Sequence, residues 1–415
     1  MGKIRIKQFG PIQAGLTSNN GWLEIQKITL FIGNQGTGKS SIAKLISTMM
    51  WLEKSLYRGE LTEKEVTSYN RFVNHYCAYQ NIKNYFDKNG ATEIEYEGAL
   101  YHIQFISNKL SIKFINNLNP ENHYLVPKIM YVPAERNFLS AVKWRNLEKM
   151  KELPQALFAF LEELERSQKE LTSPITLPIG DATFEFDHLN ETANIIGARY
   201  KLKLSEASSG FQSFVPLFLV TQNLSNSIHI TKDLSKNGLS TKQLKYIENA
   251  TKQILSDDKL SDEVKRAALR LLSAKFKSEC FINIVEEIEQ NLYPTAQKAM
   301  LFNLLESANR TQGNQLILTT HSPYIISFLT LAIKAQTLWQ KIGVSEDLKP
   351  KLAAIVPQNA CIDANQVAIY SLAEDGTIQL LPTFDGLPSD ENFLNQILAQ
   401  SNQLFDSLLD IEEAL

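Results

Sequence analysis

Residues 3–7 alternate charged and apolar side chains, the period of a strand with one wet face. Residues 22–32 read as a second, more apolar strand that runs straight into a glycine-rich loop. Behind the loop, Ile42, Leu45, Ile46 and Met49 recur at i, i+3, i+4 and i+7, which is one face of a helix. A polar helical stretch is expected to about Asp87, closed by the turn signal Lys88-Asn89-Gly90. Short alternating strands follow at 92–96, 101–107 and 110–115. A compact apolar strand at 128–132 ends in Pro133-Ala134-Glu135-Arg136.

Residues 146–171 form a charge-rich helix pair split near Pro154, and strands at 183–186 and 200–204 lead into Ser208-Ser209-Gly210. The Lys/Asp/Ser-rich stretch 231–278 has helical spacing and no chemical motif, as an inserted helical subdomain would. Buried-type strands at 281–285 and 315–320 are separated by a helix that opens at Pro294, a welcome helix-start residue. Strands at 367–372 and 377–381 flank the hairpin signal Glu374-Asp375-Gly376. A final amphipathic helix starts near Ser389, with Asp390 and Glu391 expected in its first turn. Phe393, Ile397, Leu404, Leu408 and Ile411 follow one face of it, with Leu394, Leu398, Phe405 and Leu409 beside them. That is more apolar surface than a solvated tail needs: the helix is expected to pack on its own ATPase core or a sister subunit, or to dock an effector chain as a helix laid in a groove.

A chain of 415 residues can bury more than one core. Its net charge of −3 gives no global pull toward nucleic acid or anionic membrane. Three widely spaced cysteines, Cys77, Cys280 and Cys361, make neither a disulfide framework nor a metal cluster, so a reducing cytoplasm is expected. The N-terminus lacks the apolar core of a signal peptide. The longest apolar stretches, 211–220 and 324–333, fall short of the ~20 residues that span a bilayer.

The chemistry begins at Gly33, Asn34, Gln35, Gly36, Thr37, Gly38, Lys39 and Ser40, which fit G-x-x-x-x-G-K-[ST] in full between an apolar strand and an amphipathic helix. Glycines let backbone N–H groups turn inward around phosphate oxygens, and the helix N-terminus adds partial positive charge. Lys39 would reach the β- and γ-phosphates of ATP, and the Ser40 hydroxyl would ligate Mg²⁺. Strand 281–285 ends in two acids, where the Mg²⁺-side acid of a P-loop protein sits. Glu286 would hold the metal's water shell, and Glu287 would orient or deprotonate the attacking water. Alone, such a pair is an ordinary solvated strand end; downstream of a P-loop the functional reading wins. His321 directly follows strand 315–320 and is a candidate γ-phosphate contact. Ser209 and Gln212 have capping-box spacing. The pattern is a cap and no more, or a helix N-terminus offered to a phosphate.

Together these segments resemble ABC-type ATPases. Residues 33–41, 208–212, 285–294 and 320–325 look like the Walker A, signature, Walker B/D-loop and H-loop of that family. Within it they are most similar to the stand-alone branch of SMC, RecF and OLD-like proteins, and above all to ATPase subunits of bacterial anti-phage systems such as Septu and PARIS. The runs Glu286-Glu287-Ile288-Glu289-Gln290-Asn291-Leu292-Tyr293-Pro294 and Thr320-His321-Ser322-Pro323-Tyr324 carry most of the likeness. Residues 131–136 look like the strand and loop of the Q-loop region, which assigns Glu135 and Arg136 there.

The resemblance implies an α/β ABC-type head with a mixed central sheet, an antiparallel β-subdomain and helical insertions. Its units would be an N-terminal lobe (1–230), a helical insertion (231–279), a Walker B/H-loop lobe (280–340) and a C-terminal hairpin and helix (341–415). ATP and Mg²⁺ would be the cofactors. Each ATP would be sandwiched between Walker A, Ser41 included, of one subunit and Ser209, Gly210 and Gln212 of another, with 290–293 crossing the interface. Glu286 in place of Asp, Ile288 in place of Pro and Phe211 in place of the second signature Gly depart from the family pattern.

The function it implies is an oligomeric defence ATPase that controls a separate nuclease or toxin, with a phage trigger or DNA as a further partner. A RecF- or SMC-like repair ATPase is the alternative. The run 289–294 is not a transporter's D-loop, and Asp363, Asp375, Asp385 and Asp390 are too scattered for a two-metal nuclease site.

Overall fold

The computed structural model describes residues 2–118, 123–141, 154–230, 241–256, 261–342 and 347–413. A seven-stranded mixed sheet forms its centre, in the order Gly15–Leu16, Thr377–Leu380, Val367–Leu372, Ile28–Gly33, Gln315–Thr320, Cys280–Val285, Pro127–Val132. The last five of these run parallel, and Thr377–Leu380 turns back antiparallel to Val367–Leu372. Strands Ile28–Gly33 and Cys280–Val285 are buried along their whole length, as parallel strands covered on both faces must be. The parallel register brings Gly33, Val285 and Thr320 to the same edge of the sheet, at the strands' carboxyl ends. Open α/β sheets place their sites along that edge.

Helix Lys39–Arg58 packs one face of this sheet and also contacts an antiparallel sheet built from Leu23–Glu24, Lys3–Lys7, Glu93–Glu97, Tyr101–Ile106 and Lys109–Phe114. Glu53 pins the two together. Its buried carboxylate accepts hydrogen bonds from the Tyr96 hydroxyl at 2.8 Å and from the Leu100 N–H at 2.8 Å. Burial raises its pKa, and these donors oppose the rise. The opposite face is covered by helices Ser209–Ile230, Pro294–Arg310 and Pro323–Ile342 around Phe214, Leu217, Leu301 and Leu329. A four-stranded antiparallel sheet, Ile175–Thr176 to Tyr200–Lys203, adds Phe184 and Ile195 to that core.

The expected central sheet, antiparallel subdomain and helices are all present, with local corrections. Residues 22–32 are not one strand: Leu23–Glu24 belongs to the antiparallel sheet and Ile28–Gly33 to the central one. The Gln26 N–H donates to Thr29 Oγ1 at 3.0 Å, a local turn that periodicity does not register. The stretch to Asp87 is broken at Gly59 (φ 76°) into short pieces, Glu63–Thr67, Ser68–Asn70, the π-helix Phe72–Cys77 and Lys83–Tyr85. Strand Thr192–Gly197, unforeseen, supplies the centre of the four-stranded sheet.

The helix pair at 146–171 is represented by Gln155–Lys169, its first member lying outside the described residues. In 231–278 the described helices are Thr241–Ser256 and Asp262–Phe276. The last helix begins at Phe393, so Asp390 and Glu391 precede it instead of occupying its first turn. Leu394 is buried, whereas Leu404, Phe405, Leu408 and Ile411 are all exposed. No described helix is long and apolar enough to cross a membrane.

Candidate active site

The loop after Ile28–Gly33 needs its glycines. Gly33, Gly36 and Gly38 have φ of 145°, 79° and 101°, values that an L side chain resists. A Cβ on Gly33 would lie 2.4 Å from the Leu372 carbonyl oxygen, so the C-terminal strand walls the loop. The wall continues through Glu374, whose carboxylate accepts a hydrogen bond from the Asn34 amide at 2.6 Å. Helix Lys39–Arg58 then starts directly behind left-handed Gly38, leaving its first N–H groups without intrahelical carbonyls.

Lys39 is buried and donates to the carbonyls of Gly33 at 2.9 Å and Asn34 at 2.6 Å. Burial lowers its pKa to about 8, against the pull of Glu289 and Glu287. An ammonium held on two neutral carbonyls has no full counter-charge, which an incoming phosphate would supply. Thr37 Oγ1 donates to the Asn34 carbonyl at 2.9 Å, and Ser41 is buried behind Ser40.

The two acids take different environments. Glu286 is 3% exposed; its Oε2 accepts the Ala134 N–H at 3.2 Å, and its Oε1 has no hydrogen bond of normal length, with Lys44 Nζ at 3.7 Å and the Tyr131 hydroxyl beside the carboxylate. An orphaned, buried carboxylate oxygen is what a hard cation's shell would satisfy. Ser40 and Glu286 therefore fit Mg²⁺ as its protein ligands, directly or through water. Mg²⁺ commonly takes one or two such ligands plus phosphate oxygens.

Glu287 sits at φ 43°, an unusual conformation for a side chain other than glycine. Such strain costs on the order of 1–3 kcal/mol and persists only where neighbours over-determine it. Here Thr319 Oγ1 accepts the Glu287 N–H at 3.0 Å. Arg136, fully buried, donates to the carbonyls of Glu286 and Glu287 at 2.8 Å each and of Ile288 at 3.3 Å. Glu287 itself is half-buried, and burial, Glu289 and Glu286 raise its pKa, which suits a proton acceptor.

His321 Nε2 lies 3.8 Å from Glu287 Oε1. Burial and Lys39 lower its pKa, keeping the ring a neutral partner. Its backbone N–H donates to Glu289, whose other oxygen accepts the Thr320 hydroxyl at 2.7 Å. Glu289 thus ties the acid turn to the histidine turn, a role sequence reasoning left unassigned although the residue stood in the quoted run. Arg136, placed by resemblance in the Q-loop region, clamps the backbone of the acid turn; its buried carbonyl contacts have no sequence signature. Glu135 lines a cavity with Phe138, Gln212 and Gln290.

Ser209, Gly210 and Gln212 form a separate cluster. Among the described residues, no hydrogen bond or ion pair joins them to the loop 33–40. The capping box is absent: the helix opens at Ser209 itself, and the Gln212 amide donates to the Ser205 and Ala207 carbonyls at 3.1 and 3.0 Å. Phe211, in place of glycine, covers left-handed Gly180. Asn291 (φ 58°) donates to Ser213 Oγ at 3.1 Å, holding the 290–293 loop on this helix.

A glycine-rich loop, a buried lysine and an acid pair at the ends of parallel strands, with an antiparallel sheet beside the loop's helix, define a P-loop ATPase head. A profile described as AAA ATPase domain matches residues 53–326, more than half of the chain, and the chain belongs to that family. Among solved structures it is similar to an SMC head bound to the C-winged helix domain of ScpA (10% identity, TM-score 0.37, covering 91% of this chain and 96% of that one). It is also similar to the SMC head domain from Thermotoga maritima (11%, 0.33, 92% and 98%). A third is a Pyrococcus furiosus SMC head with an extended coiled coil (11%, 0.35, 98% and 100%). Likeness at these scores is loose, and the assignment stands on the sheet order and the profile. No curated protein matches the chain.

Proposed function

We propose that this chain hydrolyses ATP with Mg²⁺ as one half of an ATP-sandwich dimer, and that the cycle controls a separate effector in a bacterial anti-phage complex. The observation that carries the chemistry is the convergence of Lys39, Glu286, Glu287 and His321 at one sheet edge, on backbone held by Arg136, Thr319 and Glu289. Lys39 would exchange its two carbonyls for β- and γ-phosphate oxygens. Mg²⁺, held through Ser40 and Glu286, would offset phosphate charge. Glu287 would accept a proton from the attacking water, with His321 on the γ-phosphate.

Ser209 and Gly210 would complete the site of a second copy: Ser209 is exposed at a helix N-terminus, where backbone N–H groups and partial positive charge favour phosphate. The exposed apolar face of Phe393–Glu413 would dock the effector as a helix laid in a groove. The defence reading rests on the likeness of residues 286–294 and 320–324, and a cytoplasmic setting follows from it.

Efficiency of plating tests it. A host carrying this gene with its neighbouring genes should resist phage, and Lys39→Ala should abolish the resistance. Unchanged plating, together with ATPase activity stimulated by double-stranded DNA, would favour a RecF- or SMC-like repair ATPase instead.

A further inference from the structure

A second cavity, of about 460 Å³, lies two to three turns along helix Lys39–Arg58 from the P-loop. This size falls within the usual range for small-molecule sites. Trp51, His75 and Tyr79 stand exposed at its mouth, while Gln80 and Tyr131 are buried in its floor. One wall is the π-helix Phe72–Cys77, a rare geometry frequent at functional sites. Tyr76, on that wall, packs its ring 5.6 Å from Trp51 and 5.1 Å from His75.

The floor is chemically incomplete. Gln80 Oε1 is buried and has no hydrogen-bond partner, while the Tyr131 hydroxyl, also buried, faces Glu286. The Gln80 amide nitrogen already faces Ser47 Oγ at 3.5 Å, which leaves the amide oxygen as its free end. That oxygen calls for an N–H or O–H donor from whatever fills the cavity. Among the described residues, no carboxylate, lysine or arginine lines the space, so the lining offers no fixed cation for a phosphate. Aromatic rings at the mouth favour a flat, polarisable ligand.

We propose that this cavity binds an uncharged nucleobase or nucleoside, stacked among Trp51, Tyr76 and Tyr79 with an N–H on Gln80 Oε1. The site is distinct from the P-loop site, which takes the phosphates. Tyr131 links the two, since its hydroxyl sits beside Glu286, the carboxylate on the metal side. A ligand on Tyr131 therefore alters the rate of hydrolysis, a coupling that rests on the Mg²⁺-ATPase reading; the binding does not.

Isothermal titration of the full chain with adenosine, guanosine, cytidine and uridine in turn tests it, with the P-loop site saturated by a non-hydrolysable ATP analogue and Mg²⁺. At least one nucleoside should bind at one site per chain. Trp51→Ala, at the exposed mouth, should weaken it at least ~10-fold, the scale of one lost base–aromatic stack. Gln80→Leu should weaken it similarly, with an unchanged melting temperature showing that the fold is kept. Silence from all four nucleosides, or binding indifferent to Trp51→Ala, overturns the site. Binding that leaves phosphate release unchanged in an active enzyme overturns the coupling through Tyr131. Binding to a protein with no ATPase activity would sink the catalytic reading and leave the site standing.

Discussion

The two regions proposed to share one nucleotide site differ in how completely one chain builds them. At the sheet edge, Lys39, Glu286, Glu287 and His321 rest on a backbone fixed by a buried arginine, a threonine hydroxyl and a bridging glutamate. A strained residue and buried charges are kept there at a cost in stability. At the start of helix Ser209–Ile230 the Gln212 amide binds the Ser205 and Ala207 carbonyls and Asn291 binds the Ser213 hydroxyl, yet Ser208 and Ser209 are exposed. One half is an assembled reaction centre. The other is an exposed helix N-terminus, which the proposed dimer would use for the phosphates of a second copy.

The largest way to break this contrast is at the reaction centre. Glu287→Gln should bind ATP yet release phosphate at least ~100-fold more slowly, the scale for losing a general base. ATP would then persist between subunits, so light scattering should show the associated state enriched. Full activity in Glu287→Gln would overturn its role.

Lys39→Ala should weaken ATP binding by ~100-fold, as expected for a charge-assisted contact worth about 1.5–3 kcal/mol. Titration with a labelled ATP measures this, and undiminished affinity would refute the loop assignment. Arg136→Met should cost about 2 kcal/mol of stability by stripping donors from three carbonyls of the acid turn. It should slow phosphate release as well, because Glu287 loses the support that holds its φ. Urea unfolding and turnover, measured on the same preparation, separate a positioning role from a packing one.

The smallest effect on the nucleotide site lies at the far end of helix Lys39–Arg58, where Lys54 is buried beside Arg58 and Lys128. Burial, then those two cations, lower its pKa to about 7 from 10.5. A lysine depressed in the folded state binds fewer protons there than when unfolded, so stability rises with pH between those two values and is flat below them. One such group contributes at most ~1.4 kcal/mol per pH unit. Lys54→Met should flatten the rise in melting temperature from pH 7 to 9 while leaving ATP affinity intact. A slope that persists in the variant would assign it elsewhere.

Much of the reaction centre was legible because its chemistry constrains local sequence. A phosphate loop needs its glycines and lysine in order, and an acid pair at the end of an apolar run stands out beside it. Long-range pairing left no such mark. Val367–Leu372 reads as one arm of a hairpin, but nothing in its period says that it lies next to Ile28–Gly33 or that Glu374 holds Asn34. Arg136 and Glu289 escaped for a related reason: each acts by binding backbone groups that only the fold assembles. The exposed C-terminal helix face was visible in its spacing, whereas the point at which the helix begins depended on backbone contacts around Ser389 and Asn392.

The central claim, that the exposed half serves a second copy, is tested most directly by phosphate release from mixed variants. Ser209→Arg and Lys39→Ala should each be inactive alone, and Ser209→Arg should still bind ATP as a monomer. Mixed in equal amounts, they pair into dimers with one site broken twice and one site intact, so activity should return. Wild-type turnover by Ser209→Arg on its own would contradict the account.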